Sequence, residues 1–276
     1  MLKVFYIVSF LLFAGTSQAW TIDANFNSGT VGEKADGGGD GFHGAGGFSL
    51  YSTDQRLKGQ AAQLTINAGS TGYGSWGGEF IFPEKAVQGD TLWFNIHTYF
   101  PSGFDHYSYG EGNRLKFFRI QTKSNNGDNH GYNDVYINTK DNDTPFLWIY
   151  EGQAKWSSVG ESSDLIKKDT WENYQMSLVL DSIHKDDGGL AEVWIWKNGL
   201  LLTHITDRIT LKDATDYADR ALMFTYWNGG SPKTQTMYVD EIKLTNERPN
   251  TSDTNGTPYL PNLNSNKPVL NNVVRN

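Results

Sequence analysis

Three stretches of this sequence carry side chains able to handle protons and anions. In residues 91–100 (TLWFNIHTYF) the two-residue period of a strand sets Trp93, Asn95, His97 and Tyr99 on one face, and Leu92, Phe94, Ile96 and Phe100 on the other. The first set is an indole, an amide, an imidazole and a phenol, an unusual row for a plain solvated surface. Residues 114–122 (RLKFFRIQT) are basic. Strict alternation places Arg114, Lys116, Phe118 and Ile120 together, opposite Leu115, Phe117, Arg119 and Gln121, which keeps Lys116 and Arg119 apart unless a bulge intervenes. Phe118 and Ile120 read as core, which turns Arg119 and Gln121 outward. In residues 132–138 (YNDVYIN), Tyr132, Asp134, Tyr136 and Asn138 share a face opposite Val135 and Ile137. Tyr226 and Trp227, just before Asn228-Gly229-Gly230, are placed to line a rim. An imidazole, a guanidinium and phenols suit proton transfer beside a bound anion. Each also has a plain reading: a half-buried surface histidine, an arginine paired with a carboxylate, or tyrosines in strands they favour.

The elements that position these residues are strands. Short β-prone runs separated by turn signals occur at 61–67, 78–82, 91–100, 114–122, 132–138, 145–150, 172–181, 190–197, 200–205, 220–228 and 236–245. Pro101 stops the long strand 91–100. Asn198-Gly199 is a strong two-residue hairpin signal. Such a series without intervening helices predicts an all-β domain, a two-sheet antiparallel β-sandwich of the jelly-roll kind, with 91–100, 114–122 and 132–138 lining one concave face. Gly29 to Gly47 reads as a surface loop.

Composition narrows the partners. The formal net charge of −8 argues against nucleic acid or an anionic membrane, yet leaves room for a local basic cleft. There is no Cys, so a large core must supply the stability. Aromatic residues make up 14% of the chain and suit both strand packing and stacking on apolar sugar faces. At the N-terminus, Lys3, the apolar run Val4 to Gly15 and the small residues of Thr16-Ser17-Gln18-Ala19 form the pattern of a signal peptide cut after Ala19. The expected organisation is a signal peptide at 1–19, one domain at 20–246 and a flexible tail at 247–276, in a secreted or periplasmic monomer. No pair of acids in an ExDxxE arrangement, Gly-x-Ser-x-Gly elbow, Walker loop or zinc spacing occurs.

LWFNIHTYFPSGFD (92–105), LKFFRIQT (115–122), DTWENYQMSLVLD (169–181), GLAEVWIWKNGLLL (189–202), MFTYWNGGS (223–231) and MYVDEIKLT (237–245) together resemble the concanavalin A-like polysaccharide lyases, the jelly-roll group of alginate, glucuronan and heparin lyases. The resemblance covers most of residues 60–245. Its final run also occurs in non-catalytic sugar-binding domains, and the RTELR- and YFKAG-type signatures of common alginate lyases are absent.

The resemblance implies β-elimination on a uronate-containing, acidic polysaccharide without a sugar-activating cofactor. Arg119, with Gln121 or Lys116, binds the substrate carboxylate; His97 is the base or neutraliser; Tyr136 is the acid, or acid and base in turn. Asn95, Tyr132 and Tyr226 join them as substrate contacts. Asp240, in YVDEI, could hold a structural Ca²⁺ with oxygens from around Asp23 to Asn27, or be a solvated strand residue. A lectin-like binding domain is the alternative function; a glycoside hydrolase is a weaker one, lacking the carboxylate pair.

Overall fold

The computed structural model describes residues 18–37, 39–107, 114–140, 144–160 and 165–261. Most of the stretch that reads as a signal peptide, and the chain beyond Pro261, lie outside these. Among the described residues the strands follow as β1 (Thr21–Ala24), β2 (Ser49–Ser52), β3 (Ala61–Ile66), β4 (Gly78–Val87), β5 (Thr91–Tyr99), β6 (Arg114–Lys123), β7 (Asn129–Lys140) and β8 (Thr144–Gly152). They continue as β9 (Lys155–Ser158), β10 (Trp171–Val179), β11 (Glu192–Lys197), β12 (Leu200–Ile205), β13 (Tyr217–Met223), β14 (Trp227–Asn228) and β15 (Gln235–Thr245). The back sheet has the order β12-β11-β10-β5-β15-β3-β2, with β1 also on β15; the front sheet has the order β4-β13-β6-β7-β8-β9, with β14 also on β6. All these pairings are antiparallel. The expected two-sheet jelly roll is the fold observed.

The strands expected from alternation are present, and the shorter β1, β2 and β9 join them. The run 220–228 is divided, because Phe224 takes a left-handed φ of 49° that ends β13. Asn198 and Gly199 carry φ of 50° and 82°, the two positive values a tight hairpin needs, and join β11 to β12.

One expectation about position fails. β5 does not line a face with β6 and β7. It lies between β10 and β15 in the back sheet, while β6 and β7 pair in the front sheet. Alternation tells which side chains share a face but not which sheet a strand enters, and in a jelly roll the chain switches sheets.

The core between the sheets explains the outward faces. Phe94 of β5 stacks on Phe118 of β6 with ring centroids 3.8 Å apart. The register of β6 against β7 shifts between Lys116 and Phe118, making Phe117 the extra residue of a bulge. Phe117 therefore turns inward beside Phe118 and packs edge-on against Tyr174 and Phe224. Full burial of each ring stabilises the fold by roughly 1.5–3 kcal/mol. The same bulge corrects the alternation of β6: Lys116 and Arg119 lie on one face, the outer one.

The first part of the stretch expected as a tail, residues 247–261, is among the described residues. Residues to Pro261 pack on the outer face of the back sheet, where Trp196 Nε1 donates to Asp253 Oδ2 at 3.0 Å and Leu260 is buried. An isolated bridge joins Ser252 to Pro258. Residues 247–261 thus lie as a strap along the back sheet, and the rest of the expected tail is outside the described residues.

Candidate functional site

The outer face of the front sheet gathers most of the polar residues singled out in the sequence. Cross-strand register sets Lys116 opposite Tyr136, Arg119 opposite Asp134 and Gln121 opposite Tyr132. On the other side of β6, β13 sets Leu222 opposite Arg119, and β4 sets Glu79 opposite Leu222. One row across the sheet therefore reads Glu79, Leu222, Arg119, Asp134.

Lys116 is the centre of this face. Its Nζ lies 5.1 Å from the ring centroid of Tyr226, 5.4 Å from Tyr136 and 5.9 Å from Tyr132, a cation among three phenol rings. Arg119 lies 4.3 Å from the Tyr132 centroid. Its Nε and Nη2 donate to the two oxygens of Asp134 at 2.7 and 2.6 Å, a fork-to-fork pair on a carboxylate that is fully buried. Lys116 Nζ is 3.7 Å from the same carboxylate. Burial works against the Arg119 charge, but its hydrogen bonds and attraction to Asp134 outweigh that and hold the guanidinium above its ordinary pKa. The pairing engages Nε and Nη2, and Arg119 also lines the neighbouring groove. Below these, Tyr136 is buried under Trp156, with ring centroids 5.4 Å apart, and Arg114 caps Trp156 at 4.1 Å. Tyr73, Lys116, Arg119, Leu222 and Tyr226 line a groove of about 240 Å³. This arrangement can hold an anionic group against two cations and offer phenol hydroxyls beside it.

The structure therefore brings together Arg119, Tyr136, Lys116, Gln121, Tyr132 and Tyr226. It does not bring in His97 or Asn95. Both lie on the outer face of the back sheet, on the far side of the sandwich, because they alternate with Phe94 and Ile96, which point into the core. Both are buried there rather than open to a polymer. Asn95 accepts from Asn173 Nδ2 at 2.6 Å and donates to the Glu241 carbonyl at 3.1 Å. His97 sits in register with Asn173 and Asp240 and is fully buried. The expected convergence of His97 with Arg119 and Tyr136 does not occur.

The calcium reading of Asp240 also meets a misfit. Its carboxylate accepts backbone N–H groups from Leu57 and Lys58 at 2.9 and 3.4 Å and from Glu241 at 2.7 Å, so donors occupy the oxygens a cation would need. Asp23 is committed to Lys243 at 3.2 Å. Among the described residues, the metal-type side chains that do close up are His130, Asp213 and Asp216, at the starts of β7 and β13 in the front sheet.

Burial instead pushes the Asp240 carboxyl up to about 7 against the pull of those N–H donors. Since the folded-state value lies above the unfolded one, the folded protein holds this proton longer. The stability it confers is complete below about pH 4 and is lost as pH rises through the folded value. Asp240→Asn, which cannot ionise, is expected to gain on the wild type by up to a few kcal/mol as pH goes from about 4 to about 8. Thermal melting across that range tests it; parallel curves for the two proteins would refute the shift.

Three contributors, Tyr73, Trp156 and Glu79, escaped the sequence reading, and Arg114 was read only as part of the basic strand. Tyr73 was hidden in a loop, though its setting between glycines (TGYGSWGG) marks an aromatic held out on a turn. Trp156 and Arg114 meet only through the β8–β9 hairpin. Glu79 enters because β4 borders β13, a long-range pairing with no local signal.

No family model matches the sequence, and no curated protein is significantly similar to it. Solved structures are similar in fold. The alginate lyase Aly36B superposes with a TM-score of 0.57 at 17% identity, over 81% of this chain and 96% of that one. The endo-β-1,4-glucuronan lyase of the fungus Trichoderma reesei gives 0.52 at 14% identity, over 82% and 94%. The marine alginate lyase of Aplysia kurodai gives 0.55 at 10%, over 83% and 99%. The chain thus has the jelly-roll fold of these polysaccharide lyases, over nearly the whole of their length.

Proposed function

We propose that this protein is an exported polysaccharide lyase that cleaves a uronate-containing polymer by β-elimination on the outer face of its front sheet. The observation that carries the reading is Lys116, set among the rings of Tyr132, Tyr136 and Tyr226 and beside Arg119 in an open groove. The likeness in fold to lyases acting on alginate and glucuronan supports it. So does the N-terminal export pattern.

In this reading the uronate carboxylate meets Arg119 and Lys116, with Gln121 alongside. Neutralising it acidifies the proton on the neighbouring ring carbon. A base removes that proton, its electron pair forms the ring double bond, and the glycosidic C–O bond breaks. A phenol protonates the departing oxygen. Tyr226, whose ring lines the groove beside Lys116, is the assigned proton donor, while Tyr136, buried under Trp156, backs the same ammonium with Tyr132. His97 takes no part, since it lies across the sandwich.

The test is incubation of the purified protein with alginate, glucuronan, glycosaminoglycans and neutral glucans. A lyase produces the ultraviolet absorbance of unsaturated uronates on at least one acidic polymer. New reducing ends without that absorbance would mean a hydrolase, and retention without cleavage a lectin; either would overturn the proposal.

A further inference from the structure

The groove over Lys116 and Arg119 adjoins a second hollow of about 210 Å³, and the two share Tyr73, Leu222 and Thr225. The first lies over β13 and β6. The second lies over β4 and β13, where Gly78 and Glu79 of β4 and the buried Trp76 form its wall. The step between them is one strand spacing, about 5 Å, which is also the advance of one pyranose residue along an extended chain.

Tyr73 marks the boundary, and it is 64% exposed. The turn that carries it is pinned on both flanks. On one side Gly69 N–H donates to the Ser231 carbonyl at 2.7 Å, and Trp227 N–H to the Thr71 carbonyl at 3.4 Å. On the other, Phe48 N–H donates to the Ser75 carbonyl and Gly46 N–H to the Gly77 carbonyl, both at 2.9 Å. Gly77 packs so closely that a Cβ there would collide with the Met223 carbonyl oxygen, and Gly74, next to the tyrosine, takes a φ of 81°. The backbone is fixed while the ring it carries stays largely in solvent. Such a ring gains little from burial, so packing does not explain its placement. Partial burial and the Glu79 carboxylate raise the phenol's pKa, against the pull of Arg220 and Arg119, so the ring is neutral at physiological pH. Glu79 itself is charge-paired with Arg220 at 3.2 Å.

Resting on the reading of the first hollow as a uronate site, we infer that Tyr73 is a stacking platform that makes the second hollow a further sugar subsite, taking the residue next to the uronate held by Lys116 and Arg119. The apolar C–H face of the pyranose lies on the phenol ring. That contact works whether or not the residue carries a carboxylate. Tyr73 thus positions the chain, and proton transfer stays with Tyr226 beside Lys116.

The test uses free glucuronate or mannuronate with the matching dimer and tetramer. Initial rates are measured on otherwise wild-type protein, and dissociation constants in a Tyr226→Phe background, which lacks the proposed proton donor but keeps both cations. Affinity is expected to rise from monosaccharide to tetramer. Tyr73→Ala should weaken tetramer binding by about tenfold and the monosaccharide far less. In rates the loss should fall on KM rather than kcat, as expected for a contact made equally before and during reaction. Melting temperature should stay close to wild type, because the ring is exposed. Tyr73→Phe keeps the ring and should retain the affinity. A loss as large on the monosaccharide as on the tetramer overturns the inference, and so does a Tyr73→Phe variant as weak as Tyr73→Ala. If the oligomers are cleaved and Tyr73→Ala changes nothing at any length, the lyase reading stands and this inference falls. If none is cleaved but the length-dependent loss of binding appears, the subsite stands and the lyase reading falls. Absence of binding at every length overturns both.

Discussion

Lys116→Met is expected to lower turnover on a cleavable uronate polymer by about a hundredfold or more while leaving the protein folded. Methionine keeps the unbranched stem that packs between the tyrosine rings and removes only the ammonium. The lost contacts with Tyr132, Tyr136 and Tyr226 are partly exposed, and cation–π contacts of that kind contribute about 0.5–1 kcal/mol each at most. The loss of a 3.7 Å attraction to Asp134 is cushioned, because Arg119 still satisfies that carboxylate. Methionine–aromatic contacts replace part of that loss, so melting temperature should fall by only a few degrees. Turnover should fall much more than KM rises, since the ammonium matters most when charge builds on the substrate carboxylate during proton removal. Lys116→Arg separates charge from proton traffic: it restores activity if charge alone matters and fails if the amine itself moves a proton. Near-full turnover in Lys116→Met would remove Lys116, and with it the proposed centre, from the chemistry.

Why this face was only partly legible in the sequence follows from two details. The face of each strand came from its two-residue period, and that reading is right for β5 and β7. Leu92, Phe94 and Ile96 are core, as are Val135 and Ile137. In β6 the period breaks at Phe117, and a bulge leaves no local signature stronger than two adjacent aromatics. Strict alternation parted Lys116 from Arg119, and only the extra residue reunites them. The larger miss, His97, arose at a different level. Its row of polar side chains is real, but it lies on the far side of the sandwich from Lys116 and Arg119: His97 sits beside Asn173 and Asp240, and Asn95 lines a small hollow at the strap to Pro261. A buried amide ladder and a substrate face look alike in sequence, because both alternate polar with apolar residues. What separates them is the partner strand, and β5 pairs with β10 and β15, many residues away in the chain.

Asp134→Ala tests the other half of the site and should give the largest loss of stability. Asp134 is fully buried and accepts two short hydrogen bonds from Arg119, whose side chain is only 21% exposed. Removing the carboxylate leaves that guanidinium desolvated without a counter-charge, and breaking a buried pair from one side costs about 3–5 kcal/mol. For a domain of this size that corresponds to a fall in melting temperature on the order of 10 °C. The double variant Asp134→Ala/Arg119→Met removes both charges and should recover much of the stability, since an apolar replacement of a buried pair is often nearly neutral. Activity should not follow stability. In Asp134→Ala the guanidinium is no longer held by its Nε and Nη2 edges, so it loses its fixed place beside the groove; in the double variant the cation is gone. Both should therefore be poor catalysts, although only the first is strongly destabilised. An Arg119 that served Asp134 alone would give the opposite pattern: the double variant, its fold repaired, would regain activity together with its melting temperature, and Arg119 would then have no part in binding the uronate.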